Sequence, residues 1–372
     1  MKKLGFGLMR LPLLDKDNPA SIDIDTMCKM VDSFLEQGFT YFDTAWMYCG
    51  FQSENAVKTA LCDRHPRESF TLADKLHAAF LENREDRDRI FNTQLEKTGA
   101  GYFDYYLIHD VRGDHYKIFE ELGCFEWLAD KKAKGLVKKI GFSFHDNAEF
   151  LERVLSEHPE VDFVQLQINY LDWESDSVQS RLCYETARKH GKPIVVMEPV
   201  KGGTLADVPA AVSDMFKDYN PDMSVASWAI RFAASLEGVF MVLSGMSNMQ
   251  QLLDNTAFMS DFVPLSSEEI ALTSRAAAII NAKTAINCTG CSYCVDGCPK
   301  NIAIPTCFSL YNADLREKED KPWLPQESYY EGLATRHGVA SDCIACRKCE
   351  SVCPQQLPIV ELLKTVREHF GK

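Results

Sequence analysis

Over the first 260 residues, short apolar or β-branched runs alternate with longer stretches of helical period. Eight runs read as strands: GFGLMRL, TYFDTA, FTLADK, YYLIHD, KKIGFSF, FVQLQINY, PIVVMEP and VFMVLSG. Between them lie segments such as DTMCKMVDSFLEQG, SENAVKTALCDR, DRDRIFNTQLEKTG, NAEFLERVLSEH, SVQSRLCYETARKHG and VASWAIRFAASLEG, whose apolar positions recur as on one face of a helix. Several close with glycine, which takes the left-handed conformation of a helix C-terminus without penalty. Eight strand–helix units in this length have the rhythm of a (β/α)₈ TIM barrel. The rival, a doubly wound sheet, needs a nucleotide loop after its first strand; GFGLMR puts Arg10 where the third glycine of that loop belongs.

The pattern then changes. PLSSEEIALTSRAAAIINAKTA reads as a linking helix, with Ser266 and Glu269 at capping-box spacing. Beyond it the chain turns to Cys, Pro and charged residues, so we place the boundary near 282: a barrel over 1–282 and a small, mostly helical domain over 283–372. Of the 14 cysteines, eight fall in two copies of one motif. The first is Cys288, Cys291, Cys294, Cys298 and then Pro299; the second is Cys343, Cys346, Cys349, Cys353 and then Pro354. A cubane cluster needs four converging thiolates; this spacing wraps three around one corner while the fourth reaches to the partner cluster. Cys298 is therefore expected to join the second motif's cluster and Cys353 the first's. Structural zinc, the alternative, pairs separated C-x2-C knuckles instead. Two [4Fe-4S] clusters in a helical ferredoxin-like module are the expectation. Cys307 lies outside both motifs and reads as a core thiol, as do Cys28, Cys62, Cys124 and Cys183; Cys49 either packs likewise or faces a pocket.

In a (β/α)₈ barrel the chemistry sits at the C-terminal strand ends. Strand two ends with Asp43 and Tyr48, strand three with Lys75, strand four with His109. The set suits carbonyl chemistry. Tyr48 serves as general acid for reduction or base for oxidation. A lysine ammonium favours the phenolate and lowers the phenol's pKa. Asp43 holds Lys75, and His109 orients the substrate oxygen.

FDTAWMY, LADK and YLIHD resemble the Asp, Tyr, Lys, His tetrad of the aldo-keto reductases, with LGFGLMRLP, VVMEPVKGG and VLSGMSNMQQLLDN similar to that family's first, seventh and eighth strands. With both cysteine motifs, the whole chain is similar to the branch carrying a C-terminal ferredoxin-type domain. The resemblance implies a nicotinamide cofactor across the barrel mouth and reversible carbonyl–alcohol conversion. Its contacts would come from Gly7, Ser143, Gln167 (or Gln165), Met197, Lys201, Gly202, Ser244, Gly245, Ser247, Gln251, Asp254 and Asn255. Phosphates would lie on the loops KGGTL and SGMSN, where backbone N–H groups and a helix N-terminus point outward. The chain departs from the family pattern at three places. Gln251 stands where many members place an arginine for the NADP 2′-phosphate, with Lys201 a candidate substitute. Met197 replaces a stacking aromatic. Ser143 is followed by Phe144, then His145 and Asp146, rather than by asparagine. NADP and NAD both remain open. Trp46, Phe51 and Trp173 are candidates to line the substrate pocket.

The clusters raise a further question, because a hydride carries two electrons and each cluster accepts one. A flavin would mediate, but no sequence signature supports one. Three readings follow: a reductase whose clusters exchange electrons with a ferredoxin or flavodoxin, a reductase whose clusters only staple a small domain, and a non-catalytic electron-transfer or redox-sensing protein on a barrel. The net charge of −14 argues against nucleic acid or an anionic membrane as partner. No apolar run approaches the ~20 residues of a membrane span, and the N-terminal stretch lacks signal-peptide organisation. The expected location is cytoplasmic.

Overall fold

The computed structural model describes residues 2–175, 178–317, 325–334 and 337–371. Eight parallel strands close a barrel in chain order: β1 (Leu4–Gly7), β2 (Tyr41–Asp43), β3 (Thr71–His77), β4 (Phe103–Val111), β5 (Val137–Phe144), β6 (Phe163–Gln167), β7 (Ile194–Met197) and β8 (Val239–Gly245). β1 pairs with both β2 and β8, which completes the ring. Each expected strand run overlaps one of these strands; β3, β4 and β5 extend beyond their runs, while the ladders of β1, β2, β6 and β7 stop short of the C-terminal ends of theirs. Side chains of Tyr41, Ala73, Leu107, Phe163, Val195, Met241 and Leu243 fill the barrel interior, while a larger apolar layer packs between strands and helices. Gly141 lets strands five and six approach: a Cβ there would lie 2.5 Å from the Phe163 carbonyl oxygen.

The segment SENAVKTALCDR forms an α-helical turn over Ser53–Val57 that widens into a π-helical turn over Lys58–Cys62. The linking helix spans Ser267–Lys283, and both hydrogen bonds of its Ser266/Glu269 capping box are made. Beyond it the chain is mostly helical, with its own core around Ile302, Ile304, Phe308, Tyr330 and Val366. Among the described residues no helix is long and apolar enough to cross a membrane.

The second domain docks on the loops after β6 and β7. Lys201 Nζ reaches Asp172 Oδ1 at 2.5 Å and Gln355 Oε1 at 3.1 Å. Gly202 sits at φ 65°, and a Cβ there would fall 2.0 Å from the Thr289 carbonyl oxygen. Gly202→Ala therefore strains the backbone and pushes the domains apart, an effect of about 1–3 kcal/mol. Limited proteolysis after the linking helix is expected to accelerate in this variant, with iron content unchanged.

Candidate active site and cluster sites

The ends of β2, β3 and β4 bring the tetrad together. Lys75 is fully buried. Its ammonium is a donor only, with three protons. It contacts Asp43 Oδ1 at 2.5 Å, the Thr44 carbonyl at 2.6 Å and Tyr48 Oη at 3.4 Å. Because Tyr48 Oη accepts from Lys75, the phenol's own proton is left to point elsewhere. Tyr48 opens a short helical turn over Tyr48–Phe51, in which Cys49 (φ 51°) and Gly50 (φ 58°) take left-handed backbone angles and swing the ring over the barrel. The His109 ring meets it edge to face, with centroids 6.0 Å apart.

Electrostatics here differ from the sequence expectation. Burial, then Asp43 and Glu198, push the Tyr48 phenol well above its usual range, and Arg10 opposes this too weakly to reverse it. Tyr48 is a neutral phenol, poised to donate. Burial, then His77 and Lys75, hold His109 well below the usual histidine range, so it is a neutral imidazole.

Behind His109, the histidines His77 and His115 flank Asp110, with ligand atoms close enough for a metal ion. Their hydrogen bonds decide otherwise. The Ala79 N–H donates to His77 Nδ1 (3.0 Å), and Arg112 Nη2 donates to His115 Nε2 (3.0 Å). Each ring therefore carries its proton on the nitrogen facing Asp110. Burial pushes the Asp110 carboxyl up, but the bonds from His115 and His77 hold it well below its usual range. The trio is a hydrogen-bonded cluster that braces the strand end carrying His109.

A cavity of ≈ 300 Å³ opens at the barrel mouth. Asp43, Tyr48 and His109 line it, as do Gly7, Gln167, Met197, Gly202, Ser244, Gly245, Ser247, Gln251, Asp254 and Asn255. Two expected cofactor contacts lie elsewhere. The Ser143 hydroxyl accepts from the Asp110 N–H (2.8 Å) and is buried away from the cavity. Lys201, held by Asp172 and Gln355, is 1% exposed and so does not replace an arginine for the 2′-phosphate. Gln251 is also occupied: its Oε1 accepts from the Ser247 N–H at 2.7 Å, and Asn248 caps the Gln251 N–H at 2.9 Å. The helix Met249–Ser260 thus covers part of its own N-terminus.

Trp46 and Phe51 pack edge to face on each other, and Trp173 packs on Phe232; none borders the cavity. The Cys49 thiol is buried against the carbonyls of Leu8 and Met9. Cys307 is fully buried in the second core, where burial pushes its thiol up to about 12. Asn255 donates to Ser244 Oγ (2.9 Å), and Asp254 accepts from Ser224 (2.7 Å). Gln165, by contrast, has a buried Oε1 without a partner on the cavity wall. An orphaned acceptor on β6 facing the cavity fits the amide N–H of a carboxamide.

Sequence reasoning missed four cavity residues that matter. Arg10 and Glu198 form an ion pair on the wall (3.2 Å). Cys291 and Tyr293 reach in from the second domain. No motif places these on the cavity wall: Arg10 and Glu198 meet through the barrel's closure, and Cys291 and Tyr293 through how the domains dock.

The eight motif cysteines form two groups. Cys288, Cys291, Cys294 and Cys353 line one apolar pocket; Cys298, Cys343, Cys346 and Cys349 line another. The crossing of the fourth ligand matches the expectation. All eight thiols are free. Four converging sulfurs in an apolar pocket suit a cubane cluster, whose irons take thiolate ligands. The first pocket adjoins the barrel cavity through Cys291. The second faces outward, where Cys346 is exposed.

Comparisons with known proteins agree. Residues 3–278 match the model of the aldo/keto reductase family, and residues 287–357 match a 4Fe-4S dicluster domain. An aldo-keto reductase of Mycobacterium sp. (strain MCS) is 29% identical over 206 residues, which cover 55% of this chain and 68% of that protein. Among solved structures, an aldo-keto reductase from Klebsiella pneumoniae in complex with NADPH superposes with a TM-score of 0.56 at 18% identity, over 73% of this chain and 90% of its own. One from Bacillus halodurans, in its holo form, gives 0.56 at 22% identity over 74% and 91%. At such identities these two structures speak for the fold alone. The chain is a member of the aldo/keto reductase family, with a 4Fe-4S dicluster domain following its barrel.

Proposed function

We propose that the protein interconverts a carbonyl and an alcohol on a small molecule, with Tyr48 as general acid and base, and that two [4Fe-4S] clusters carry electrons between this cavity and an external one-electron carrier. The observation that carries the electron-transfer reading is the position of Cys291. A ligand of the first cluster site lines the same cavity as Tyr48 and His109, and the second cluster site leads outward to the exposed Cys346.

Asp43 and Lys75 hold the Tyr48 oxygen, so its proton is directed into the cavity. Neutral His109 donates a second hydrogen bond to the substrate oxygen and fixes its orientation. As charge develops on that oxygen, Tyr48 gives up its proton and Lys75 stabilises the phenolate through its contact with Oη. Oxidation runs the same transfers backward. A nicotinamide dinucleotide, when bound, supplies or takes the hydride. Gln165 and Gln167 would hold its carboxamide; Gly7, Met197, Gly202, Ser244, Gly245, Ser247, Gln251, Asp254 and Asn255 would border it.

The raised Tyr48 pKa has a consequence for pH. Because the group keeps its proton beyond the ordinary tyrosine value of ~10, kcat/KM for reduction is expected to show no alkaline fall below about pH 10. A limb near pH 8 would mean that Lys75 dominates instead.

The electron-transfer part is tested without oxygen. The purified protein should hold about eight irons. Addition of NADPH or NADH is expected to bleach the cluster absorbance and to produce a paramagnetic signal. Nicotinamide binding with clusters that stay oxidised, carbonyl substrate present, would leave the clusters a structural clamp.

A further inference from the structure

Arg10 leaves β1 and turns its guanidinium into the cavity. Its backbone is pinned: its carbonyl accepts from Ser247 Oγ at 3.0 Å, and a Cβ on Gly245 would sit 3.3 Å from the Arg10 Cβ. The side chain is held by a single contact, Nη1 to Glu198 Oε1 at 3.2 Å. A guanidinium has five N–H donors in a planar fork. Among the described contacts the others meet no acceptor, and the side chain stays 33% exposed to the cavity. Glu198 is held too, at φ 55° with its Oε2 buried and unpartnered.

Arg10 is also the one permanently charged cation among the described residues of the cavity wall. Lys75 and Lys201 are buried in their own ion pairs, and burial keeps His109 and His145 neutral. We propose that Arg10 is a specificity-determining residue that binds a carboxylate on the substrate, so that this site takes short-chain carbonyl or hydroxy acids rather than neutral aldehydes and alcohols.

Anionic chemistry at Arg10 has two sources, a substrate carboxylate or a dinucleotide phosphate. The surroundings favour the first. Asn248 and Gln251 already cap the nearby helix N-terminus, and Glu198 and Asp254 place two carboxylates on the wall. Next to Glu198 a doubly charged pyrophosphate is repelled more strongly than a single carboxylate, which needs one open edge of a guanidinium.

The inference rests on the carbonyl–alcohol reading, so the test uses binding and not turnover. Butanoate and 2-oxobutanoate are titrated into the cluster-loaded protein, with butanamide as the neutral control. Native protein is expected to prefer the carboxylates by about 10–100-fold, the value of a charge-assisted hydrogen bond. Arg10→Gln should abolish the preference. Glu198→Gln, which removes the competing carboxylate, should tighten carboxylate binding about three- to tenfold. A merely structural ion pair would weaken binding in both variants, so opposite signs separate the two roles even where one variant folds poorly. Equal native affinity for butanoate and butanamide overturns the proposal. So does a preference that survives Arg10→Gln. Weaker NADPH binding in Arg10→Gln with carboxylate binding intact also overturns it, and gives Arg10 to the dinucleotide. Turnover of butanal by native protein reports separately on the carbonyl chemistry, whose failure leaves the binding result standing.

Discussion

Tyr48→Phe is expected to lower kcat/KM by about 10²–10⁴-fold, the range of a lost general acid, with nicotinamide affinity close to native. The geometry behind this is asymmetric. Lys75 gives one proton each to Asp43 and the Thr44 carbonyl over short distances, and its third, longer contact is with Tyr48. The phenol therefore does little to hold Lys75, and its removal leaves the Asp43–Lys75 pair in place. What is lost is the phenol O–H that Lys75 contacts at the cavity wall. Lys75→Met should act differently: it strands Asp43 as an unpaired buried carboxylate and costs stability as well as rate, by the several kcal/mol typical of a broken buried pair. A fall in kcat alone for Tyr48→Phe, beside falls in both kcat and thermal midpoint for Lys75→Met, is the result that the arrangement demands. Native-like turnover in Tyr48→Phe for every carbonyl tried would point to a retired barrel.

Cys353→Ala is expected to remove the cluster next to the barrel, although Cys353 belongs to the second motif. Its thiol shares a pocket with Cys288, Cys291 and Cys294. Iron should fall from about eight toward about four per chain, since each cubane holds four. The remaining signal should be that of the outer cluster. Cys298→Ala should do the reverse, because Cys298 lies with Cys343, Cys346 and Cys349. Cys307→Ala should keep both clusters, as Cys307 packs in the core away from either pocket. The loss in Cys353→Ala reaches the active site as well. Tyr293 stands between the ligands Cys291 and Cys294 in sequence and on the cavity wall in space, so an empty first pocket frees that wall. Variants that lose the opposite cluster would show that the fourth cysteines do not cross.

The tetrad and the cysteine motifs were legible because their spacing is local or follows the barrel's own order. Asp43, Lys75 and His109 end three successive strands, and a parallel barrel puts successive strand ends side by side. The fourth cysteines, Cys298 and Cys353, lie in the opposite motif's pocket because a C-x2-C-x2-C run cannot turn its fourth cysteine back onto the same corner. Misreadings arose where a residue had a competing partner far along the chain. Lys201 looked free for phosphate, yet Asp172 and Gln355 take it. Ser143 looked like a carboxamide contact, yet it caps the backbone at Asp110. Lys75 was expected to lower the Tyr48 pKa, but burial beside two carboxylates raises it.

By itself, the sequence determined the barrel, the helical cluster domain, the tetrad and the eight thiols, because periodicity and short spacings act through neighbouring turns of chain. The tertiary structure alone decided that the cluster domain contributes to the cavity lining, that Arg10 and Glu198 pair on its wall, and that Tyr293 and Cys291 line the same cavity as Tyr48. These pairs join residues about 190 to 245 positions apart in sequence. Which cation meets which carboxylate there depends on how the loops dock, and on which groups burial leaves with no partner but each other or a ligand.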